Sequence, residues 1–245
     1  MSGHSHAANI AAKKAKTDAA KGKIFTKVGR EIAVAAKSNP DPDTNSKLAD
    51  AIAKAKSVNM PNENIKRCIA KAAGELNADN YEELTYEGYG PSGSAVIIKT
   101  LTDNKNRTVD YVRTAMRKHG GSLGNAGCVS FTFTTMGVIV VQRTPDLDED
   151  VVMEYALEAG ADDFIAEDDA FIVHTSVSAF STVRKYLESK NLNFFEAQIE
   201  MVPQDRITLD GDDLSKFQRL IDALEDLDDV QEVYHNVDLP EEEED

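Results

Sequence analysis

From Thr85 to Phe133 the chain reads TYEGYGPSGSAVIIKTLTDNKNRTVDYVRTAMRKHGGSLGNAGCVSFTF, and the rest of the sequence organises around this stretch. SAVIIKTL is apolar and β-branched, the pattern of a buried strand. Asp103 and Asn104 offer a helix start. Val109, Val112, Ala115 and Met116 then recur at helical spacing. His119, Gly120 and Gly121 close that helix, because glycine enters the left-handed C-cap conformation most easily. CVSFTF alternates, with Val129, Phe131 and Phe133 on one face, and reads as a second strand. The stretch is therefore a strand–helix–strand unit around one apolar interior.

Toward the amino terminus, residues 1–78 read as all helical. Ala7 to Ala20 is rich in Ala and Lys, and Gly22 permits a break. In Lys23–Lys37 an apolar stripe of Phe25, Val28, Ile32 and Ala36 lies beside Lys23, Lys27 and Arg30, which follow at i, i+4 and i+7. SNPDPDTNS is a loop by its Pro, Asp and Asn content. A further helix from Thr44 to Ser57 buries Leu48 and Ile52. Pro61 suits the first turn of a last helix ending at Gly74. Residues 79–90, with Tyr81, Tyr86 and Tyr89, read as a bridge to the central unit. GYGPSG matches the glycine pattern of dinucleotide sites, but it precedes a strand instead of opening a helix, so it reads as a turn.

Toward the carboxyl terminus a second pattern begins at Gly137. GVIVV is a strand, Glu149–Ala159 a helix closed by Gly160, DDFIA and AFIVHT two short strands, Ser178–Lys190 a helix and FFEAQIEMV a last strand. This β-α-β-β-α-β order is the ferredoxin-like arrangement. Beyond it lie a strand (RITLDG), a helix (Asp212–Asp226) and a strand (VQEVYHNV), the missing half of the central unit. The predicted fold class is α+β: an all-helical basic domain (1–78), then two ferredoxin-like domains, one inserted into the other. The outer domain takes 79–135 plus 204–240, the insert 136–203, and an acidic tail of 241–245 is expected to be disordered.

The formal charge of −16 over 245 residues conceals a segregated molecule. Residues 1–80 carry 14 Lys and Arg against 8 Asp and Glu, whereas residues 144–245 carry 6 against 30. Screening confines such fields to about 8–10 Å in physiological salt, so the basic end can meet phosphate while the acidic end stays clear of it. Cys68 and Cys128 share no metal-ligand spacing and form no disulfide framework, which suits a reducing compartment. Cys68 shares a helical face with Ile65, Ile69 and Ala72 and reads as a structural thiol. No apolar run reaches membrane-spanning length, and the start carries no secretory apolar core; a cytoplasmic protein with no membrane partner is expected. The Lys-rich and Ala-rich start resembles a transit peptide only weakly, since no Arg precedes Arg30.

The ordered motifs GHSHAANI (3–10), KGKIFTK (21–27), NMPNENI (59–65), YEGYGPSGSAVI (86–97), LTDNKNRT (101–108), KHGGSLG (118–124) and IDALEDLDDVQEVYHN (221–236) resemble the YebC family over nearly the whole chain. That resemblance implies a helical amino-terminal domain and two α+β domains. It also implies a regulator of gene expression. Members are labelled probable DNA-binding transcriptional regulators, and relatives including a mitochondrial translational activator act at the ribosome, for example in easing stalled elongation at proline runs. The start departs from the family pattern: His6 and Ala7 stand where relatives carry a Lys-Trp pair, and Ala11, Ala12 and Lys13 where they carry Lys-His-Arg. This weakens the carry-over of nucleic-acid contacts to residues 4–13.

Catalysis finds no constellation: the five His are scattered and no nucleophile has a base at a recognisable spacing. No enzyme activity and no cofactor are expected. The acidic clusters lack the ligand spacing and glycine of a calcium loop and read as solvated faces. Ser2-Gly3-His4, with a free amine, offers square-planar Cu(II) or Ni(II) ligands, an incidental property. The functional candidates are cations. Lys13, Lys14, Lys21, Lys23, Lys27 and Arg30 form the amino-terminal set; Arg107, Arg113, Arg117 and Lys118 form a second set on the central helix. Without a helix-turn-helix, zinc finger or basic zipper, contacts with DNA, or with ribosomal or transfer RNA, fall chiefly on backbone phosphate. A basic protein, such as those of the ribosome, is the expected partner of the acidic half. A protein-interaction adaptor is the third reading.

Overall fold

Residues 17–74 and 81–240 are described by the structure, a computed structural model. Helix α1 (Thr17–Ser38) runs through Gly22, where the sequence permits a break. A single interior glycine costs a helix about 1 kcal/mol relative to alanine, which the burial of Val28, Ile32 and Ala36 in the same helix can offset. Asn45 caps α2 (Ser46–Ser57) by accepting the Leu48 amide, and α3 (Asn62–Gly74) follows Pro61. The three helices close on Val28, Ile32, Leu48, Ala55, Met60 and Ile65. Cys68 packs against this core, where burial pushes its thiol pKa up, as for an inert structural thiol.

The chain continues through β1 (Glu82–Tyr89), β2 (Ala95–Thr102), α4 (Lys105–Lys118), β3 (Ser122–Leu123), β4 (Phe133–Gln142), α5 (Glu149–Ala159), β5 (Asp163–Ala166) and β6 (Ala170–Thr175). Then come α6 (Phe180–Ser189), β7 (Phe194–Pro203), β8 (Ile207–Thr208), α7 (Gly211–Glu225), β9 (Val230–His235) and β10 (Val237–Asp238). One antiparallel sheet has the order β3-β1-β2-β9, the other β5-β6-β4-β7. The second sheet keeps the ferredoxin-like order, with α5 and α6 packing Val152, Ala156, Val183 and Leu187 onto Ile139, Val141, Phe171 and Val173. In the first sheet β2 pairs with β9, not β4, so two segments separated by the whole insert share one sheet. Helices α4 and α7 bury Val112, Met116, Phe217, Leu220 and Leu224 against its Val96, Ile98, Val230 and Val233.

Three strand assignments differ from the sequence reading. CVSFTF is a loop and a 3-10 turn (Ser130–Thr132), with β4 starting only at Phe133. Val129 and Phe133 are buried, but Phe131 is 73% exposed. The cause is Glu87, whose carboxylate accepts the amides of Gly127, Val129 and Ser130 and draws them off any ladder. The edge place falls to the short β3. The segment read as a bridge is β1, the central strand that lies antiparallel between β2 and β3. RITLDG supplies β8, which leaves the main sheet and pairs parallel with β10.

The helical domain docks on both sheets through charge. Lys54 Nζ of α2 lies 2.6 Å from Glu232 on β9 and 3.0 Å from Glu31 on α1. Asp50 of α2 accepts from Ser181 and from the buried Arg184 of α6. At the insert's centre, Gly137 lies where any Cβ would collide with Thr175 Oγ1 and the Phe180 ring. Gly137→Ala is therefore expected to lower unfolding free energy by about 1–3 kcal/mol, measured by urea denaturation.

Candidate nucleic-acid interface

The two predicted cation sets occupy different surroundings. At one end of the first sheet, Glu225 at the end of α7 and Asp226, Asp228 and Asp229 in the turn after it lie against α1. Lys23 Nζ donates to Asp226 Oδ1 at 2.9 Å. Lys27 donates to the Glu225 carbonyl at 2.6 Å. Arg30 donates to the Asp228 carbonyl at 2.8 Å and reaches Asp229 at 3.2 Å. Arg107 of α4 joins them, reaching Asp103 and Asp229 at 2.8 Å each. Asp229 is nearly buried and also accepts from Thr108 and Thr102. Burial opposes its ionisation, yet the Arg107 and Thr108 hydrogen bonds outweigh it and hold the carboxyl below its usual range. Burial pushes the Lys27 ammonium pKa down. A cleft of about 540 Å³ opens here, lined in part by Lys23, Arg30, Arg107 and Tyr111. Four predicted phosphate ligands are thus already held by acceptors some 120–200 residues away in sequence.

The other end of the sheet gathers the β1–β2 loop, the turn after α4 and the start of α7. Arg117 and Lys118 leave the last turn of α4 and are exposed. Lys118 and His119 stand with Lys216 and Arg219 of α7 around a hollow of about 360 Å³, whose remaining walls are Pro91, Ser92, Gly120 and Asp213. Lys216 pairs with Asp212 at 2.7 Å. Arg117, Lys118 and Arg219 have no carboxylate within ion-pair distance among the described residues. Arg113 pairs with Asp110 at 3.0 Å, one turn away. Lys21 is exposed on α1, and Lys13 and Lys14 lie outside the described residues, as do residues 2–4.

The same end carries the Glu87-held loop. Tyr89 donates to the Cys128 carbonyl at 2.8 Å, and Gly121 lies so close to the Tyr89 carbonyl that a Cβ would stand 2.8 Å from it. Burial opposes the Glu87 charge, and the amides of Val129, Gly127 and Ser130 prevail, holding its pKa below the usual carboxylate value. Among the described residues no three His, Cys, Asp or Glu side chains stand together as metal ligands. No helix among them is long and apolar enough to cross a membrane.

Residues 5–75 match the TACO1/YebC protein N-terminal domain, and residues 81–237 match the TACO1/YebC second and third domains. The chain belongs to the TACO1/YebC family. Its relatives include a probable transcriptional regulatory protein of Hathewaya histolytica, 55% identical over 242 residues that cover 98% of each chain. Another, from Acetivibrio thermocellus, is 56% identical over 96% of this chain and 98% of its own, and carries the same description. A crystal structure of a conserved hypothetical protein from Aquifex aeolicus superposes with a TM-score of 0.81 at 42% identity. It covers 94% of this chain and 95% of its own. The α+β architecture read from the sequence is the architecture of this TACO1/YebC fold.

Sequence reasoning missed Lys216, Arg219 and His119. The signal was present in part: Lys216 and Arg219 follow at i, i+3 on a helix whose apolar stripe is plain, which places them on one outer face. What the sequence lacked was the approach of that face to the end of α4.

Proposed function

We propose that this chain is a non-enzymatic regulator of gene expression that binds nucleic acid through backbone phosphate. The observation that carries this reading is the uncommitted cation end. In a chain of charge −16, Arg117 and Lys118 at the end of α4 and Arg219 on α7 have no carboxylate within ion-pair distance among the described residues, Asp212 acting on Arg219 only from farther off. Cations without a direct ion-pair partner gain when a polyanion arrives. The relatives' description as probable transcriptional regulatory proteins supports a regulatory role. A second reading, RNA on the ribosome, draws support from the insert, whose acidic surface repels free nucleic acid and suits basic protein neighbours. DNA and RNA predict the same phosphate contacts, and co-sedimentation with ribosomes that is lost in high salt separates them.

The salt dependence of binding tests the site. Each engaged cation releases about 0.9 counterion on duplex DNA or about 0.7 on single strands. Arg117→Ala with Lys118→Ala is expected to flatten the slope of log K against log salt by about 1.4–1.8. Lys23→Ala with Lys27→Ala is expected to change it far less, because their acceptors are internal. An unchanged slope in the first pair overturns the assignment.

A further inference from the structure

We propose that the hollow between α4 and α7 is a seat for a phosphate monoester, carried by a nucleotide or by the 5′ end of a nucleic-acid strand. It deepens the reading above and shares Lys118 with it. Lys118, Lys216 and Arg219 oppose Asp213 in its wall and Asp212 beside it, which pairs with Lys216 at 2.7 Å, a balance of about one positive charge with His119 adjacent. A monoester presents three terminal acceptor oxygens and about −1.5 to −2 near neutral pH, whereas a backbone diester presents two and −1, so three cations around one hollow suit the terminal group. The donors differ in kind: two ammonium groups deliver point charge, and the Arg219 guanidinium offers a planar fork for two oxygens.

The wall is also held in shape. Ser92 adopts a left-handed conformation (φ 54°, ψ 26°) unusual for a residue with a side chain. Its hydroxyl donates to the Asp213 carboxylate, tying the β1–β2 loop to α7. Backbone strain of this kind persists where the surroundings enforce it, and it clusters at ligand clamps. The Met116 carbonyl, which would repel an anion at the end of α4, is taken by the amides of His119 and Gly121. The hollow, at about 360 Å³, lies at the lower end of the range of about 300–1,000 Å³ usual for small-ligand sites, so a sugar can accompany the phosphate.

The test uses the full chain and calorimetric titration with adenosine 5′-monophosphate and with adenosine. The monophosphate is expected to bind and adenosine to bind at least about tenfold more weakly, the loss of charge-assisted hydrogen bonds. Lys216→Ala with Arg219→Ala, both exposed on α7, is expected to weaken monophosphate binding by about tenfold or more and to leave the circular dichroism spectrum unchanged. Oligonucleotides with and without a 5′ phosphate identify the source: a preference for the phosphorylated strand assigns the seat to strand ends, and equal binding assigns it to free nucleotide. Absence of monophosphate binding, or binding that the double variant leaves intact, overturns the proposal. Either result leaves the salt-slope experiment free to succeed or fail by itself.

Discussion

Replacing Asp229 by alanine is expected to lower the unfolding free energy by about 3 kcal/mol or more, read from urea denaturation. The magnitude comes from the groups the side chain leaves behind. Its carboxylate is 8% exposed and accepts from Arg107, Arg30, Thr102 and Thr108 at once. Removing one partner of a buried pair costs about 3–5 kcal/mol, because the other charge stays without compensation. Arg107 is 37% exposed and regains some hydration, which places the effect at the lower bound. Asp229→Asn keeps the shape and loses the charge, with an expected cost of about 1–2 kcal/mol. Acid titration separates charge from shape. The folded carboxyl titrates below its ordinary value of 3.8, so its stabilisation is complete above that pH and disappears as pH falls through the folded value. The gap between wild type and Asp229→Asn should stay constant from pH 7 to about pH 5 and close below about pH 4. A gap that persists unchanged at pH 3 would place the stabilisation in shape alone.

The insert was the most legible part of the fold, and the reason is local. GVIVV and AFIVHT are β-branched runs buried on both faces of a sheet, and Glu149–Ala159 ends at Gly160, whose φ of 94° requires glycine. Each signal is complete within its own segment. The errors arose where a distant group decides the backbone. CVSFTF has strand periodicity, but Glu87, some 40 residues earlier, claims its amides. TYEGY reads in the sequence as part of a bridge, yet it forms a central strand. It becomes one because Gly88 lets β3 approach to within a distance no Cβ allows, with Ser122 and Leu123 in its place. RITLDG departs because Ile207 meets Asn236 and Val237 instead of the main sheet.

The candidate site divides in the same way. That Lys23, Lys27 and Arg30 share a helical face was legible from i, i+4, i+7 spacing. That the face meets the acidic turn 225–229 was not, because net charge by segment shows an imbalance and gives no geometry. The imbalance has two solutions: a basic face can await an external polyanion, or it can hold the chain's own acidic turn. The amino-terminal set takes the second solution, which leaves the α4–α7 end as the place where the first is proposed.

Lys54→Met is expected to loosen the helical domain, with a cost of about 3 kcal/mol at pH 7.5. Lys54 lies between Glu232 and Glu31 at 2.6 and 3.0 Å. Burial opposes its charge, and the two carboxylates outweigh that penalty, holding its pKa well above the usual range. The neighbours set the consequence. Burial already raises the Glu31 pKa, Lys54 restrains the rise, and Glu232 and Glu83 add to it. Lys99 stands opposite Glu232 in the sheet register, but burial lowers its own pKa, so it replaces Lys54 only in part. Without Lys54 the Glu31 and Glu232 carboxylates repel each other without a shared cation, and the easiest relief is for one to take a proton. A carboxyl whose folded pKa is raised stabilises fully below its unfolded value and loses that contribution as pH rises through the folded value. The variant should therefore regain stability between pH 7.5 and pH 5, and by more than the wild type, in which Lys54 restrains the rise in the Glu31 pKa. Hydrogen exchange within α1–α3 measures both effects: faster exchange at pH 7.5 after correction for intrinsic rates, and partial return of protection at pH 5. Equal protection in the two proteins at pH 7.5 would mean that apolar packing alone holds the helical domain in place.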